Sequence, residues 1–137
     1  MMKDKMQLTA IIEAVASLKD VIPLMILANA DAEQNKQLAE KHSVSLLFEA
    51  FADRRYADDG NLTPRSLEGS VLEDDKAIKD QIESLITEKV ATSISGNKLS
   101  IDADTLCVHG DNAQALESVK NIRQFIDSGF DSNSSTA

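Results

Sequence analysis

The sequence predicts an α/β fold: a partial (β/α) barrel with parallel strands covered by helices and a small hairpin before the last strand. Three observations carry that reading. Short runs that are apolar on both faces, as in a helix-covered parallel sheet, alternate with segments of helical periodicity. The order α-β-α-β-loop-α-hairpin-β-α calls for parallel strands joined by right-handed crossovers. A complete barrel takes about 250 residues, so this chain of 137 residues supplies about half of one. The outer strands of such a piece need covering.

Each element has its own signal. Leu8, Ile11, Ile12, Val15 and Leu18 fall at helical spacing and predict an amphipathic helix over about 4–19. Residues 21–28 form an apolar run in which Pro23 sets the start of the strand ladder beyond itself. Residues 31–41 read as a helix through Ala32, Leu38 and Ala39, with His42 at its end suiting exposed carbonyls. Residues 44–51 are a second buried strand. The polar stretch 52–70, with Asp58-Asp59-Gly60, Pro64 and Gly69, is longer than a plain connection needs, and loops of that length are often functional. Ile78, Ile82, Leu85 and Ile86 mark a helix over 74–89, and Ser95-Gly96-Asn97 centres a hairpin over 92–101. A strand over 104–109 follows. The last helix, over 112–128, presents Ala115, Leu116, Val119, Ile122 and Ile126 on one face and stops at Gly129. Residues 1–130 are expected to form one α/β domain, and the polar residues 131–137 a disordered tail.

Composition narrows the classes of partner. Against 14 Lys+Arg stand 23 Asp+Glu, and the net charge of −9 repels phosphate backbones and anionic lipid surfaces. Nucleic acid and membrane are therefore not expected partners. A lone cysteine cannot form an intrachain disulfide, and no run approaches the ~20 apolar residues that span a bilayer. The expected setting is cytoplasmic.

Chemistry-bearing residues gather after two strands. Thr105, Cys107 and His109 share one face of the strand 104–109, which places His109 last before the chain turns. The carboxyl ends of parallel strands are where catalytic groups collect, and a histidine there serves as base, acid or metal ligand. Asp111 orients His109 or, with Gln114, forms an N-terminal capping box. Asp53-Arg54-Arg55-Tyr56 follows the second strand, and Arg65 lies near the far end of the same loop. An arginine offers a planar fork of donors to carboxylate or phosphate. Cys107, without a basic neighbour in sequence, reads as a small buried hydrophobe. No glycine-rich phosphate loop, zinc pattern or nucleophile elbow is present.

Two stretches taken together resemble a known family. Phe51-Ala52-Asp53-Arg54-Arg55-Tyr56-Ala57-Asp58-Asp59-Gly60-Asn61-Leu62-Thr63-Pro64-Arg65-Ser66, followed by Asp104-Thr105-Leu106-Cys107-Val108-His109-Gly110-Asp111, is similar to the C-terminal part of the LamB/YcsF family, the A subunits of prokaryotic 5-oxoprolinases. Residues 90–101 match between them. The resemblance implies a barrel of the deacetylase-like type and a part in the ATP-dependent opening of 5-oxoproline to L-glutamate, together with B and C subunits. It implies that Asp53, Arg54, Tyr56 and Arg65 line the pocket, with His109 and Asp111 at its base. On that basis His109, Asp53 and Asp111 are the expected catalytic residues, and Arg54, Tyr56 and Arg65 the substrate-binding ones.

The family's other segments, Asp-Leu-Asn-Cys-Asp, Gly-Phe-His-Ala-Gly-Asp and Lys-Pro-His-Gly, are absent from this sequence. The expectation is therefore a truncated or split protein of this type that needs a complementary N-terminal half or self-association to complete its site. ATP would then act through the complete assembly. Two other readings stand beside it: a non-catalytic remnant binding a partner or small anion through Arg54, Arg55 and Arg65, and a metal-dependent deacetylase-like hydrolase.

Overall fold

A computed structural model describes residues 4–109 and 113–129. Asp4 opens the first helix by accepting hydrogen bonds from the backbone N–H groups of Met6 and Gln7, donors that a first turn leaves open. Helix α1 (Lys5–Ala16) buries Leu8 and Ile12. It stops short of residue 19 because Ser17 closes the last turn, its Oγ donating to the carbonyl of Ala14. Strand β1 (Leu24–Leu27) begins just after Pro23, as the missing N–H of proline requires. Helix α2 (Ala32–Lys41) and strand β2 (Leu46–Phe51) follow.

Asp74 caps helix α3 (Asp75–Glu83), accepting from the N–H of Ala77. The 74–89 segment is not one regular helix. At Ser84–Glu88 it widens to a π-helical turn and ends on Lys89 in the left-handed conformation, φ 54°. Strands β3 (Val90–Thr92) and β4 (Lys98–Ser100) form the antiparallel hairpin, which starts two residues earlier than the pattern suggests. Strand β5 (Thr105–Cys107) and helix α4 (Ala113–Asp127) complete the order, with Gly129 at φ 68° past the helix end.

The main sheet has the order β1-β2-β5, all parallel, with β2 in the centre; it is an open α/β sheet rather than a closed barrel. Residues paired in register point to the same side. One face carries Ile26, Phe48, Ala50 and Leu106, and these join Leu8 and Ile12 of α1 and Ala39 of α2 in the main core. A second cluster gathers Ala52, Ile78, Ile82, Ile122 and Phe125 beneath Leu106 and Val108. The opposite face carries Met25, Leu27, Leu47, Glu49, Phe51, Thr105 and Cys107, all half-buried or exposed. In a barrel this would be the inner face. The sheet therefore has one finished side and one open side.

Strand β5 is shorter than the apolar pattern predicts, and both ends have a cause. Asp104, ahead of the strand, donates its backbone N–H to the Phe48 carbonyl, and its Oδ2 accepts from the Phe48 N–H. Beyond Cys107, whose carbonyl accepts from the Ala52 N–H, the His109 N–H leaves the ladder for a side-chain acceptor.

Ile82 is fully buried where α3 meets α4. Ile82→Ala is expected to cost about 2–5 kcal/mol, read as a lowered urea midpoint with unchanged slope. An unchanged midpoint would show that the second cluster contributes little to stability.

Candidate active site

Asp53 and His109 stand 56 residues apart in sequence and meet at the carboxyl ends of β2 and β5. The His109 backbone N–H donates to Asp53 Oδ2 at 3.0 Å, and His109 Nδ1 lies 3.1 Å from both Oδ1 and Oδ2. A carboxylate only accepts, so Nδ1 carries the proton in this arrangement, and in the neutral ring Nε2 is the nitrogen with the lone pair. The Asp53 side chain is 9% exposed and that of His109 26%. The carboxylate is thus enclosed while the imidazole keeps contact with solvent. Phe51 fixes the ring plane: its own ring stacks on the imidazole with centroids 5.7 Å apart and planes 17° from parallel.

The loop behind this pair is built from the residues the sequence singles out. Arg54 is buried and donates through Nη2 to the Thr63 carbonyl at 2.8 Å, while its Nε has no partner. Tyr56 is fully buried, and its hydroxyl accepts from the Phe51 N–H at 3.0 Å. Arg55 is half-buried, and Arg65 is exposed, its carbonyl accepting from Ser70 Oγ. The structure thus brings Asp53 and His109 into direct contact, seats Arg54 and Tyr56 inside the protein, and leaves Arg65 at the surface. Asp111 and its capping partner Gln114 fall where side chains are not described, as does the tail 131–137.

Two supports escape a reading of the sequence. Gln81 Nε2 lies 2.8, 3.1 and 2.9 Å from the carbonyls of Phe51, Ala52 and Arg54, tying α3 to the end of β2. The hairpin holds the loop from the other side: the Ile94 N–H donates to the Tyr56 carbonyl, and Ser93 Oγ and Asn97 Nδ2 both donate to Asp58 Oδ1. Hydrogen bonds from Ser93, Ser95 and Asn97 hold the Asp58 carboxyl below its ordinary range. Gly60, at φ 82°, takes a conformation that favours glycine and lets the loop lie against Asn29 and Ala30.

Cys107 stands on the same face as Phe51, its register partner. It is half-buried rather than a plain core hydrophobe. Burial pushes its thiol up, and the carboxylates of Glu49 and Asp53 add to that, with a hydrogen bond to Glu49. It is therefore a poor nucleophile. Among the described residues, no group of three or more His, Cys, Asp or Glu side chains is arranged to hold a metal. A cavity of about 390 Å³ lies between the Asp58-Asp59-Gly60 turn and Leu99–Asp102, away from the Asp53–His109 pair.

Fold and site together define a class: an open parallel α/β sheet with an aspartate-oriented histidine at its strand ends. Comparison with known proteins is more specific. Residues 1–135 match the LamB/YcsF family, and the chain belongs to that family. It is 43% identical over 129 residues to the 5-oxoprolinase A subunit of Vibrio parahaemolyticus, covering 94% of this chain and 51% of that protein. It is 43% identical over 121 residues to the third 5-oxoprolinase A subunit of Pseudomonas aeruginosa, covering 88% and 48%. The crystal structure of the lactam utilization protein from Thermus thermophilus superposes with a TM-score of 0.75 at 28% identity, over 92% of this chain and 49% of that one. The chain is thus homologous to 5-oxoprolinase A subunits and spans about half the length of the curated relatives it matches. Among the described residues no helix is long and apolar enough to cross a membrane.

The chain's single tyrosine gives a direct probe of the loop. Burial pushes the Tyr56 phenol from 10.0 up to about 12, the Glu49 carboxylate adding a little and the Phe51 N–H opposing. A proton held more tightly in the native state contributes stability that is complete below pH 10 and lost as pH rises through about 12. The loss amounts to about 3 kcal/mol. Phenolate absorbance should therefore rise together with alkaline unfolding. Tyr56→Phe should remove that pH dependence while lowering stability at neutral pH by about 1–3 kcal/mol, because the Phe51 N–H loses its acceptor. A phenol titrating near its ordinary value in folded protein would contradict the buried placement.

Proposed function

We propose that this chain is part of the A subunit of an ATP-dependent 5-oxoprolinase, opening 5-oxoproline to L-glutamate in the cytoplasm together with B and C subunits. The observation that carries the reading is the Asp53–His109 pair, enclosed on the aspartate side and solvent-reachable on the histidine side, in a chain homologous to 5-oxoprolinase A subunits. The complete activity belongs to a fold of the relatives' full length, with the remaining wall supplied by a complementary N-terminal half.

Within that reading His109 Nε2 takes the proton of the water that attacks the lactam carbonyl. Asp53 holds the tautomer that leaves Nε2 free and stabilises the imidazolium that forms. Asp111 is placed in the same catalytic set by the resemblance alone. Arg65, on the exposed part of the loop, reaches the substrate carboxylate, while Arg54 and Tyr56 shape the pocket from behind.

ATP supplies activation of an otherwise unreactive amide. Among the described residues nothing favours a triphosphate near His109: Glu49 lies on the inner face, the Asp53 carboxylate is engaged by His109, and the sequence holds no glycine-rich cradle. Nucleotide binding is assigned to the rest of the assembly.

The test is co-expression of the full chain with the N-terminal half of the Vibrio parahaemolyticus homologue and with B and C subunits, followed by ATP-dependent release of glutamate. His109→Ala and Asp53→Asn are each expected to lower kcat by at least about a hundredfold. Unchanged turnover in His109→Ala would sink the base assignment.

A further inference from the structure

We infer that the β1 flank, made of the outer edge of β1 and an uncovered apolar stripe of α1, receives a parallel strand and its helix from the complementary half of a LamB/YcsF fold. The inference rests on the part of the reading above in which such a half completes the site, and it locates the contact at one edge of the sheet.

Only half of the β1 backbone is paired. The N–H groups of Leu24 and Ala28 donate to the carbonyls of Ser45 and Glu49, on the β2 side. Successive residues of a strand turn their N–H and C=O groups to opposite edges. Met25 and Leu27 therefore direct theirs away from β2. In the order β1-β2-β5 no further strand meets them among the described residues. Within Leu-Met-Ile-Leu there is no charge, proline or bulge, the devices that usually blunt such an edge.

The side chains of α1 point the same way. Residues follow one another round a helix at about 100°. Counted from Lys5, whose Nζ meets Gln34 Oε1 of α2, Ile12, Leu8, Val15 and Ile11 come in that order. The first two are buried and the next two only half-buried. Leu18, just past the helix end, is exposed, as are Ile22 and Met25, and Val21 is 96% exposed. The apolar face of α1 is thus wider than α2 and the sheet cover, and it is left open on the side away from α2. Residues 18–25 lead from that stripe to the strand edge. A strand alone would pair with Met25 and Leu27 but leave the stripe in water, whereas a strand with its own helix covers both.

Size and charge select the occupant. This chain covers 51% of the Vibrio parahaemolyticus relative and 49% of the Thermus thermophilus structure, so the rest of each has the size of a matching half. A second copy of this chain has that size too. It brings another charge of −9, however, and a second Glu49 to the face being closed, and both oppose association.

Co-expression of the full chain with a tagged N-terminal half of the Vibrio parahaemolyticus homologue tests this by co-purification and light scattering, apart from any activity. Wild type is expected to form a one-to-one complex. Met25→Pro removes an outward N–H and keeps the bonds to β2, so it should cut recovery at least about tenfold while circular dichroism of the variant alone stays unchanged. Val21→Lys changes a side chain that the free chain leaves in water, and it should lower recovery several-fold even where Met25→Pro does not fold. Unchanged recovery in the folded variants overturns the inference and leaves the oxoproline reading standing. A wild-type homodimer that Met25→Pro abolishes gives the edge to a second copy and overturns the inference, as does wild type that stays alone. A complex lost in the variants that, with ATP and B and C subunits, releases no glutamate from 5-oxoproline supports the inference and overturns the oxoproline reading.

Discussion

The Asp53 carboxylate is the constraint on which the rest of the site depends. It accepts the backbone N–H and the ring Nδ1–H of His109, so one side chain closes the end of the β2–β5 ladder and sets the tautomer of the imidazole. These are bonds from a nearly enclosed carboxylate, which makes them stronger than surface contacts and expensive to leave unmade. The ladder would otherwise continue past Cys107 with a backbone acceptor. Replacing that acceptor by a side chain bends the chain out of the sheet at the point where a reactive group is useful. The local cause of the strand end and the local cause of the histidine's chemistry are the same interaction.

A carboxylate can orient a histidine only if its own backbone is held, and three elements share that task. Gln81 reaches from α3 to the carbonyls of Phe51, Ala52 and Arg54, on both sides of Asp53. The Leu72 N–H donates to the Asp53 carbonyl, and the hairpin binds the loop through Tyr56 and Asp58. Catalytic geometry has to be kept within about half an ångström. A long loop meets that demand here because its polar groups are spent on neighbours rather than on water. The charged residues of the 52–70 stretch divide accordingly: Asp53 and Arg54 are inside, Asp58 is pinned at the surface, and Arg65 is exposed.

Much of the fold is legible in the sequence because the apolar runs of β1 and β2 are nearly unbroken, and because helical spacing is explicit in α1, α3 and α4. The places where the pattern misleads have local causes. The π-helical turn at Ser84–Glu88 keeps Leu85 buried while altering the hydrogen-bond spacing, a change that apolar periodicity does not report. Strand β5 reads longer than it is because Val108 is packed like a strand residue although the ladder has already ended. At the site, the pairing of Asp53 with His109 is a tertiary contact across 56 residues, suggested by strand-end placement and by resemblance rather than by local spacing. Gln81 and Glu49 carry no sequence signal of their own. A polar residue within an amphipathic helix looks like its solvent face, and a lone glutamate in an apolar strand looks like an edge position. Only register and helix docking show what each one faces.

The two sides of the sheet divide the work between core and candidate site in a chain that spans about half the length of its relatives. The side carrying Ile26, Phe48, Ala50 and Leu106 is sealed by helices into a core, and that burial holds the strands in register. The other side keeps Met25, Glu49, Phe51, Thr105 and Cys107 half-buried or open. Polar groups on that side are therefore not required for the core, and a face that stability does not consume is available for recognition. His109 stands at the border, anchored by an enclosed aspartate and tipped toward solvent. Closing the open face with further strands would lower the local dielectric around Asp53, His109 and Glu49 and strengthen each of their interactions. The open sheet thus fixes the geometry of the Asp53–His109 pair, and enclosure would strengthen the interactions that pair makes.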